Sequence, residues 1–247
     1  MLSAMPAGRT VFQVEIRVRD LARAVSFYKT VFDWRIYKAA EEYALVDTGA
    51  MPVVSLLQTT NPRFPIGAVD NLLVESCEQE AARAVALGAR ISVPKSEVPS
   101  SGMYIGVVDP WGCELYFWEP FGDVRPHLQG TGTNPISFLE IATPDLPAAT
   151  KFYSELAGWS FWSVVFKDAF AMAEGCGLKR GVGLFGAPPG SPGTMTNYVE
   201  VANLEDTAQK IEASGGRVLV PPSQFPGEGR FLLFEDADGV RMGAIQA

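Results

Sequence analysis

Histidine is almost absent from this chain: its 247 residues include a single one, His127. Catalytic zinc sites and non-haem iron sites commonly use one or two imidazole ligands. An iron site of two histidines and one carboxylate is therefore excluded within one chain. A site built from oxygen ligands for Mg²⁺ or Mn²⁺ stays open, because these ions accept carboxylate and amide oxygens.

Cysteine and positive charge are scarce as well. The three cysteines, Cys77, Cys113 and Cys176, follow no metal-ligand spacing, which is typical of core thiols in a reducing compartment. The net charge is −8, and the sequence has no cluster of Lys and Arg. We expect no nucleic-acid partner, because phosphate is held mainly by basic side chains.

Long apolar runs are also missing. The first ten residues, MLSAMPAGRT, contain no apolar run long enough for a signal peptide. No window approaches the ~18 apolar residues that predict a membrane span. These two absences predict a cytoplasmic protein with no membrane partner.

An internal repeat dominates what the chain does contain. The stretch QVEIRVRDLARAVSFYKTVFDW at 13–34 recurs as FLEIATPDLPAATKFYSELAGW at 138–159. Further matches at a near-constant offset run from Gly88/Gly215 to Gly112/Gly239. Such regular self-similarity indicates that the protein is a duplication.

Each copy of the repeat predicts a strand followed by a helix. Val14, Ile16 and Val18 alternate with polar residues, as in a strand with one buried face. Asp20 and Asp145 stand where a helix N-cap belongs. The apolar positions after each aspartate recur at helical spacing, so the helix is expected to pack on the apolar face of its own strand.

Three short strands are predicted after each helix, and the whole plan occurs four times. The fold class is therefore α+β, with tandem β-α-β-β-β modules at 11–60, 67–120, 135–187 and 194–247. They are predicted to form two domains, 9–120 and 134–247, joined by a glycine-containing linker at 121–133 in which His127 lies. A DPWG turn closes the second module, and PKSEVPSSG from Pro94 is predicted to be a loop.

The strand, the aspartate-capped helix with its Phe27-Tyr28 pair and closing Trp34, and the terminal hairpin with a DPxG turn resemble the vicinal oxygen chelate superfamily. That superfamily includes glyoxalase I, bleomycin-resistance proteins and extradiol dioxygenases. The resemblance covers almost the whole chain, and the tandem arrangement is similar to glyoxalase-like proteins common in actinobacteria. It implies two glyoxalase-like domains, each with a curved mixed sheet that forms a half-open cup, helices outside, and a site on the concave face.

The same resemblance gives the positions of the family's metal ligands. In the first domain they fall on Gln13, Val69 and Tyr116, and in the second on Phe138, near Thr196, and on Gly243. Gln13 alone is a residue type that the family uses, and Gln58 is the obvious donor in the strand around Ser55. We therefore predict no metal and no cofactor, with an oxygen-ligated divalent ion as the alternative.

Strand alternation predicts which side chains face each cup. Mixed aromatic and charged groups suit a planar organic ligand, because rings supply contact area and a few polar atoms fix its orientation. The alternative is a purely structural role, in which the same side chains form a solvated strand face or fill the cup. The predicted ligand-binding residues are Gln13, Glu15, Arg17, Asn71, Tyr104, Glu114, Tyr116 and Trp118 in the first domain, and Phe138, Tyr198, Phe231 and Arg241 in the second.

Glu140 and Glu200 are the candidate catalytic residues, because two carboxylates in one cup could divide the acid and base roles. An ordinary ion pair with Arg241 is the competing interpretation. Our first hypothesis is a metal-independent protein that binds a small aromatic or antibiotic-like compound. The alternatives are a lyase, isomerase or hydroxylase of the same superfamily, and a scaffold with filled cups. A monomer is favoured over a homodimer because the domains pair within the chain.

Overall fold

The computed structural model describes residues 9–122, 133–163, 169–224 and 229–246. Its helices and strands follow the predicted order four times. The first module is β1 (Val11–Val18), α1 (Leu21–Phe32), β2 (Arg35–Lys38), β3 (Tyr43–Asp47) and β4 (Val53–Gln58). The second is β5 (Gly67–Leu73), α2 (Cys77–Ala86), β6 (Arg90–Val98), β7 (Gly102–Val108) and β8 (Glu114–Pro120). The third is β9 (Ile136–Thr143), α3 (Leu146–Ala157), β10 (Phe161–Ser163), β11 (Phe170–Ala173) and β12 (Val182–Gly186). The fourth is β13 (Thr194–Glu200), α4 (Leu204–Ala213), β14 (Arg217–Gln224), β15 (Arg230–Glu235) and β16 (Arg241–Gln246).

The strands form two mixed sheets of eight. Their orders are β2-β3-β4-β1-β5-β8-β7-β6 and β10-β11-β12-β9-β13-β16-β15-β14. Within each module the first strand pairs with the last in parallel, and the remaining neighbours are antiparallel. The parallel pairing is possible because a helix and two strands separate the paired strands in sequence. The predicted α+β class and the repeated module are confirmed.

Each helix begins at a side-chain N-cap, as the sequence predicts for Asp20 and Asp145. The side chains of Asp20, Ser76, Asp145 and Asn203 each accept a hydrogen bond from the amide three residues later. These bonds satisfy one of the amides that the first turn of a helix leaves without a partner.

A second acceptor at three helix starts comes from the end of the module's last strand. The Gln58 side-chain oxygen accepts from the Leu21 amide at 2.9 Å. In the same way Glu119 accepts from Cys77 at 3.0 Å, and Gln246 accepts from Leu204 at 3.2 Å. Gln58, which the sequence offers as a metal donor, therefore caps α1.

One strand is longer than the sequence predicts. The segment after Pro94 was expected to be a loop, but β6 continues to Val98. This prediction was wrong because β6 is an edge strand, where a proline without an amide hydrogen is tolerated, and because two register shifts between Ile91 and Ser96 absorb the irregularity.

Two compact units emerge from the pattern of contacts. Of the described residues, one unit contains 9–12, 70–122, 138–163 and 169–195, which belong mainly to modules 2 and 3. The other contains 13–69, 133–137, 196–224 and 229–246, which belong mainly to modules 1 and 4. The predicted domains group the modules by sheet instead, and their boundaries stay a prediction. Most of the predicted linker, including His127, lies outside the described residues.

In the first unit a buried hydrogen bond joins helix α3 to the hairpin of module 2. The Tyr153 hydroxyl donates to Asp109 at 2.8 Å. The other oxygen of Asp109 accepts from the backbone amides of Trp111 and Cys113 and so holds the DPWG turn. Burial raises the pKa of Asp109, while these hydrogen bonds pull that pKa back down.

The second unit repeats this arrangement with other residues. The Tyr28 hydroxyl donates to Asp236 at 2.8 Å, and Asp236 holds its own turn through the amides of Asp238 and Val240. Burial again raises the pKa of Asp236, and the neighbouring charge of Asp238 adds to the rise. Asp238 itself is ion-paired with Arg23. Hairpin and helix are thus tied by the same chemistry in both units.

In the described residues, no helix is long and apolar enough to cross a membrane.

We expect the Tyr28→Phe substitution to lower the free energy of unfolding by about 1–3 kcal/mol, because it leaves a buried carboxylate oxygen of Asp236 without its donor. Urea unfolding at neutral pH measures the change. The matched control is Tyr37→Phe on the exposed edge strand β2, which removes a hydroxyl from a side chain 44% exposed. Equal stability of the two variants would contradict the prediction.

The raised pKa of Asp236 predicts a pH effect. A carboxyl whose pKa is higher in the folded state than in the unfolded state contributes stability below its unfolded pKa, about 3.9, and loses it as the pH rises through the folded pKa. We therefore expect the free energy of unfolding of Asp236→Asn, minus that of the parent protein, to increase as the pH rises from about 3.5 to about 7. Urea unfolding across this range measures the difference, and a difference that is constant or falls with pH contradicts it.

Candidate functional site

The four modules present the same strand positions on the sheet face that carries Gln13 and Glu15, which we call the site face. Val14 and Ile16, which alternate with these residues, are fully buried. The parallel pairs define the counterparts: Glu15 is opposite Ser55, Asn71 opposite Tyr116, Glu140 opposite Gly183, and Tyr198 opposite Gly243. In each module the first strand has another residue on this face, two positions before the one just named. These residues are Gln13, Val69, Phe138 and Thr196.

The site face of module 1 carries a cluster of polar side chains. Gln13 Nε2 donates to the Tyr43 hydroxyl at 3.0 Å and to Ser55 Oγ at 2.8 Å. Ser55 is fully buried, whereas Gln13 and Tyr43 are half-buried. Burial raises the pKa of Tyr43, the neighbouring Ser55 and Gln13 side chains lower it, and the charge of Glu15 raises it further. The phenol is therefore protonated at neutral pH.

An ion pair lies next to this cluster on the same strand. Arg17 Nε donates to Glu15 at 2.9 Å, and the guanidinium carbon of Arg17 stands 5.0 Å from the ring centroid of Phe64. The Arg17 side chain is 3% exposed. A buried cation needs such compensation, and the carboxylate and the ring face supply it.

The site face of module 2 is aromatic. The rings of Tyr104 and Tyr116 are 5.9 Å apart, and the Tyr116 hydroxyl lies 3.4 Å from Glu114. A Cβ placed on Gly106 would lie 2.9 Å from the Tyr116 ring, so the ring occupies the space that this glycine leaves. Trp118 lies over Gly102 in the same manner.

The site face of module 3 replaces each member of the module 1 cluster with an apolar residue. Phe138 stands in place of Gln13 and Gly183 in place of Ser55. Phe170 takes the place of Tyr43, because Ala171 pairs with Leu184 as Ala44 pairs with Leu56. A Cβ on Gly183 would lie 2.6 Å from Phe138 and 2.8 Å from Phe170. The rings therefore fill this face.

The site face of module 4 combines an aromatic pair with a buried hydroxyl. Tyr198 covers Gly243 so closely that a Cβ there would overlap its ring, and its centroid is 6.4 Å from that of Phe231. Thr196 is 1% exposed, and its hydroxyl has no hydrogen-bond partner among the described residues. Arg241 is exposed.

The residues at the family's metal positions do not fit a metal. They are Gln13, Val69, Tyr116, Phe138, Thr196 and Gly243, and among them Gln13 alone is a residue type that the family uses as a ligand. In the part of the chain that the structure describes, no three His, Cys, Asp or Glu side chains are grouped so that they could hold an ion. These positions do not supply the imidazole and carboxylate ligands that iron and zinc sites use.

The predicted site residues differ in their exposure. Glu140 and Glu200 are half-buried, and each has an interaction partner in the structure. Their acid and base roles stay a prediction, as do the ligand contacts of the others. The buried ones are Arg17, Asn71, Tyr116, Phe138 and Tyr198, and the half-buried ones are Gln13, Glu15, Tyr104, Glu114, Trp118 and Phe231.

Sequence reasoning missed Tyr43 and Ser55. Tyr43 is next to buried Ala44 and Ser55 is next to buried Val54, so strand periodicity places each of them on the opposite face from that neighbour. The signal that identifies them is the comparison of modules 1 and 3, which shows polar residues in one and apolar residues in the other. That comparison needs the strand register, because the offset between the copies grows after the helix.

Two family models match this chain. Residues 135–243 match the model described as "Glyoxalase/Bleomycin resistance protein/Dioxygenase superfamily", and residues 10–49 match "Bleomycin resistance protein-like N-terminal". Together they include parts of both halves of the duplication. The family resemblance inferred from the repeats is confirmed.

Similar proteins and structures agree with this assignment. The protein named "Putative glyoxylase CFP32" from Mycobacterium bovis is 22% identical, with 94% of this chain and 93% of that protein covered. The Mn(II)-bound glyoxalase from Novosphingobium aromaticivorans is 16% identical at a TM-score of 0.67, covering 97% of this chain and 83% of that one. An extradiol ring-cleaving dioxygenase from B. fuscum is 16% identical at a TM-score of 0.68, with coverage of 99% and 74%. At such identities the structural likeness establishes the fold alone.

We expect Gly183→Ser to lower the free energy of unfolding by about 1–3 kcal/mol, because the new side chain overlaps Phe138 and Phe170. Adding Phe138→Gln removes one of these rings, so the double variant is expected to lose less than the sum of the single losses. Urea unfolding of the three variants measures the coupling. Gly186→Ser, at an exposed position of the same strand, is the control, and additive losses would contradict the packing described above.

Proposed function

The chain belongs to the glyoxalase, bleomycin resistance protein and dioxygenase superfamily, and we propose that within it this protein binds a small planar organic compound without a transition metal. The expected ligand is an aromatic or antibiotic-like molecule. The observation that carries the proposal is the replacement of the family's ligand positions by side chains that pack or hydrogen-bond as neutral groups.

Aromatic side chains that keep some exposure support a planar ligand. In the first unit Tyr104 and Trp118 are half-buried beside fully packed Tyr116. In the second unit Phe231 is half-buried beside buried Tyr198. Rings held in place by their neighbours can stack on a ligand without losing much conformational entropy on binding.

Polar groups on the site face of module 1 support specific orientation of such a ligand. Gln13 and Tyr43 are half-buried and are held by hydrogen bonds to each other and to Ser55. Small-molecule sites in proteins combine such apolar area with a few fixed polar atoms. The cluster is therefore the part of the described surface best suited to give selectivity.

A metal-independent protein is expected to bind its ligand equally well before and after treatment with a chelator. Isothermal titration calorimetry of the purified protein with planar aromatic carbonyl compounds, in EDTA and again with added Mn²⁺, measures this. We expect dissociation constants that agree within about twofold across the two conditions, because no metal contributes to binding.

Two outcomes would contradict the proposal. Binding that disappears in EDTA and returns with Mn²⁺ would show that a metal is required and would favour the enzymatic alternative. Failure of every compound to bind at micromolar concentrations would favour a scaffold with filled faces.

A further inference from the structure

We propose that the Gln13–Tyr43–Ser55 cluster on the site face of module 1 recognises an uncharged planar ligand that carries a carbonyl oxygen next to an N–H donor, as in a primary carboxamide or a lactam. This inference rests on the proposed function and adds the module, the contacting atoms and the chemical class of the ligand.

The hydrogen bonds of the cluster determine the direction of the Tyr43 proton. The Tyr43 oxygen receives a hydrogen bond from Gln13 Nε2 at 3.0 Å. Among the described residues, the Tyr43 hydroxyl donates no hydrogen bond of its own. Its hydrogen is therefore left to donate to an acceptor outside the cluster.

Gln13 supplies the complementary acceptor. Its amide nitrogen uses its hydrogens on Tyr43 and on Ser55 at 2.8 Å. Its carbonyl oxygen has no hydrogen-bond partner among the described residues, and the side chain is half-buried. A donor on Tyr43 and an acceptor on Gln13 therefore lie side by side, and they match a ligand edge that presents an acceptor beside a donor.

The charges beside the cluster favour a neutral ligand. Glu15 is paired with Ser55 across β1 and β4, so its carboxylate lies beside the cluster and disfavours a negative ligand atom there. The positive charge of Arg17 is matched by Glu15 at 2.9 Å and lies against the ring of Phe64. The pair adds no net charge to this face, and a charged ligand would lose its hydration without gaining a counter-ion.

Module 3 shows that the cluster is not required by the fold. The same positions hold Phe138, Phe170 and Gly183, which pack as an apolar layer. A sheet of this kind is therefore stable without hydrogen-bonding groups on its site face. Burying the hydroxyl and amide groups of module 1 costs desolvation free energy, and the fold does not require it.

The test compares three naphthalene probes of similar size by calorimetry: 2-naphthamide, which has an acceptor and a donor; methyl 2-naphthoate, which has an acceptor alone; and the anion 2-naphthoate. The intact protein is expected to bind the amide about three- to tenfold more tightly than the ester, and the anion least tightly. The Tyr43→Phe variant is expected to lose about three- to tenfold in affinity for the amide, the effect of one neutral hydrogen bond.

Tyr37→Phe on β2 is the matched control, because it removes a hydroxyl from an exposed tyrosine of the same module and is expected to leave all affinities unchanged. Ser55→Ala keeps both Tyr43 and Gln13 and is expected to lose about two- to threefold, since Gln13 is then less firmly oriented. Circular dichroism and thermal unfolding confirm that each variant is folded before binding is compared.

The outcomes separate this inference from the proposed function. If the probes bind and Tyr43→Phe binds them as the parent protein does, the cluster is not the recognition site, although the binding function stands. If the anion binds more tightly than the amide, the assignment of a neutral ligand is wrong. If no probe binds the parent protein, both the inference and the proposed function fail.

Discussion

The hydrogen bond between a helix tyrosine and a hairpin aspartate is the interaction on which each compact unit depends. Tyr28 and Asp236 make it in one unit, and Tyr153 and Asp109 make it in the other. Each aspartate also holds its own turn through backbone amides, so a single buried carboxylate is satisfied by two elements. Moving the helix from the hairpin would leave that carboxylate short of donors, which is costly in a protein interior.

This constraint commits the helix side of modules 1 and 3 to the core and leaves the opposite sheet face free to vary. The aromatic residues next to the tyrosines are packed in the same way in both units, with Tyr28 stacked on Trp34 and Tyr153 stacked on Trp159. The site faces share no such pattern. One carries a hydrogen-bonded cluster and another an apolar layer, and the remaining two carry tyrosines that lie over glycines.

The way in which the site faces vary is the physical basis of the proposed function. Phe138 can occupy its position because Gly183 has no side chain, and Tyr198 can do so because of Gly243. In modules 3 and 4 a ring on the first strand is thus accompanied by a glycine on the last strand, and the ring fills the space above that glycine. Module 1 keeps Ser55 where module 3 has glycine, so its face retains directed hydrogen-bonding groups. The proposed function therefore rests on these few side chains rather than on the fold, which the superfamily shares.

The sequence by itself determined the repeat, the module order and the helix starts. Asp20 and Asp145 cap their helices as predicted, and Val14 and Ile16 are buried as their alternation indicates. These features are local: a cap acts over three residues and a strand alternates over two, so the pattern is written within a short stretch.

Tertiary structure decided the partners of residues that are far apart in sequence. Gln58 carries an oxygen that suits a metal, yet it caps α1, because the end of β4 lies beside the start of that helix. Tyr43 and Ser55 form a cluster because both accept hydrogen bonds from Gln13. Gln13 lies on β1, which the parallel pairing with β4 places next to them. Hydrogen bonds act over about 3 Å in space, and sequence separation does not encode that distance.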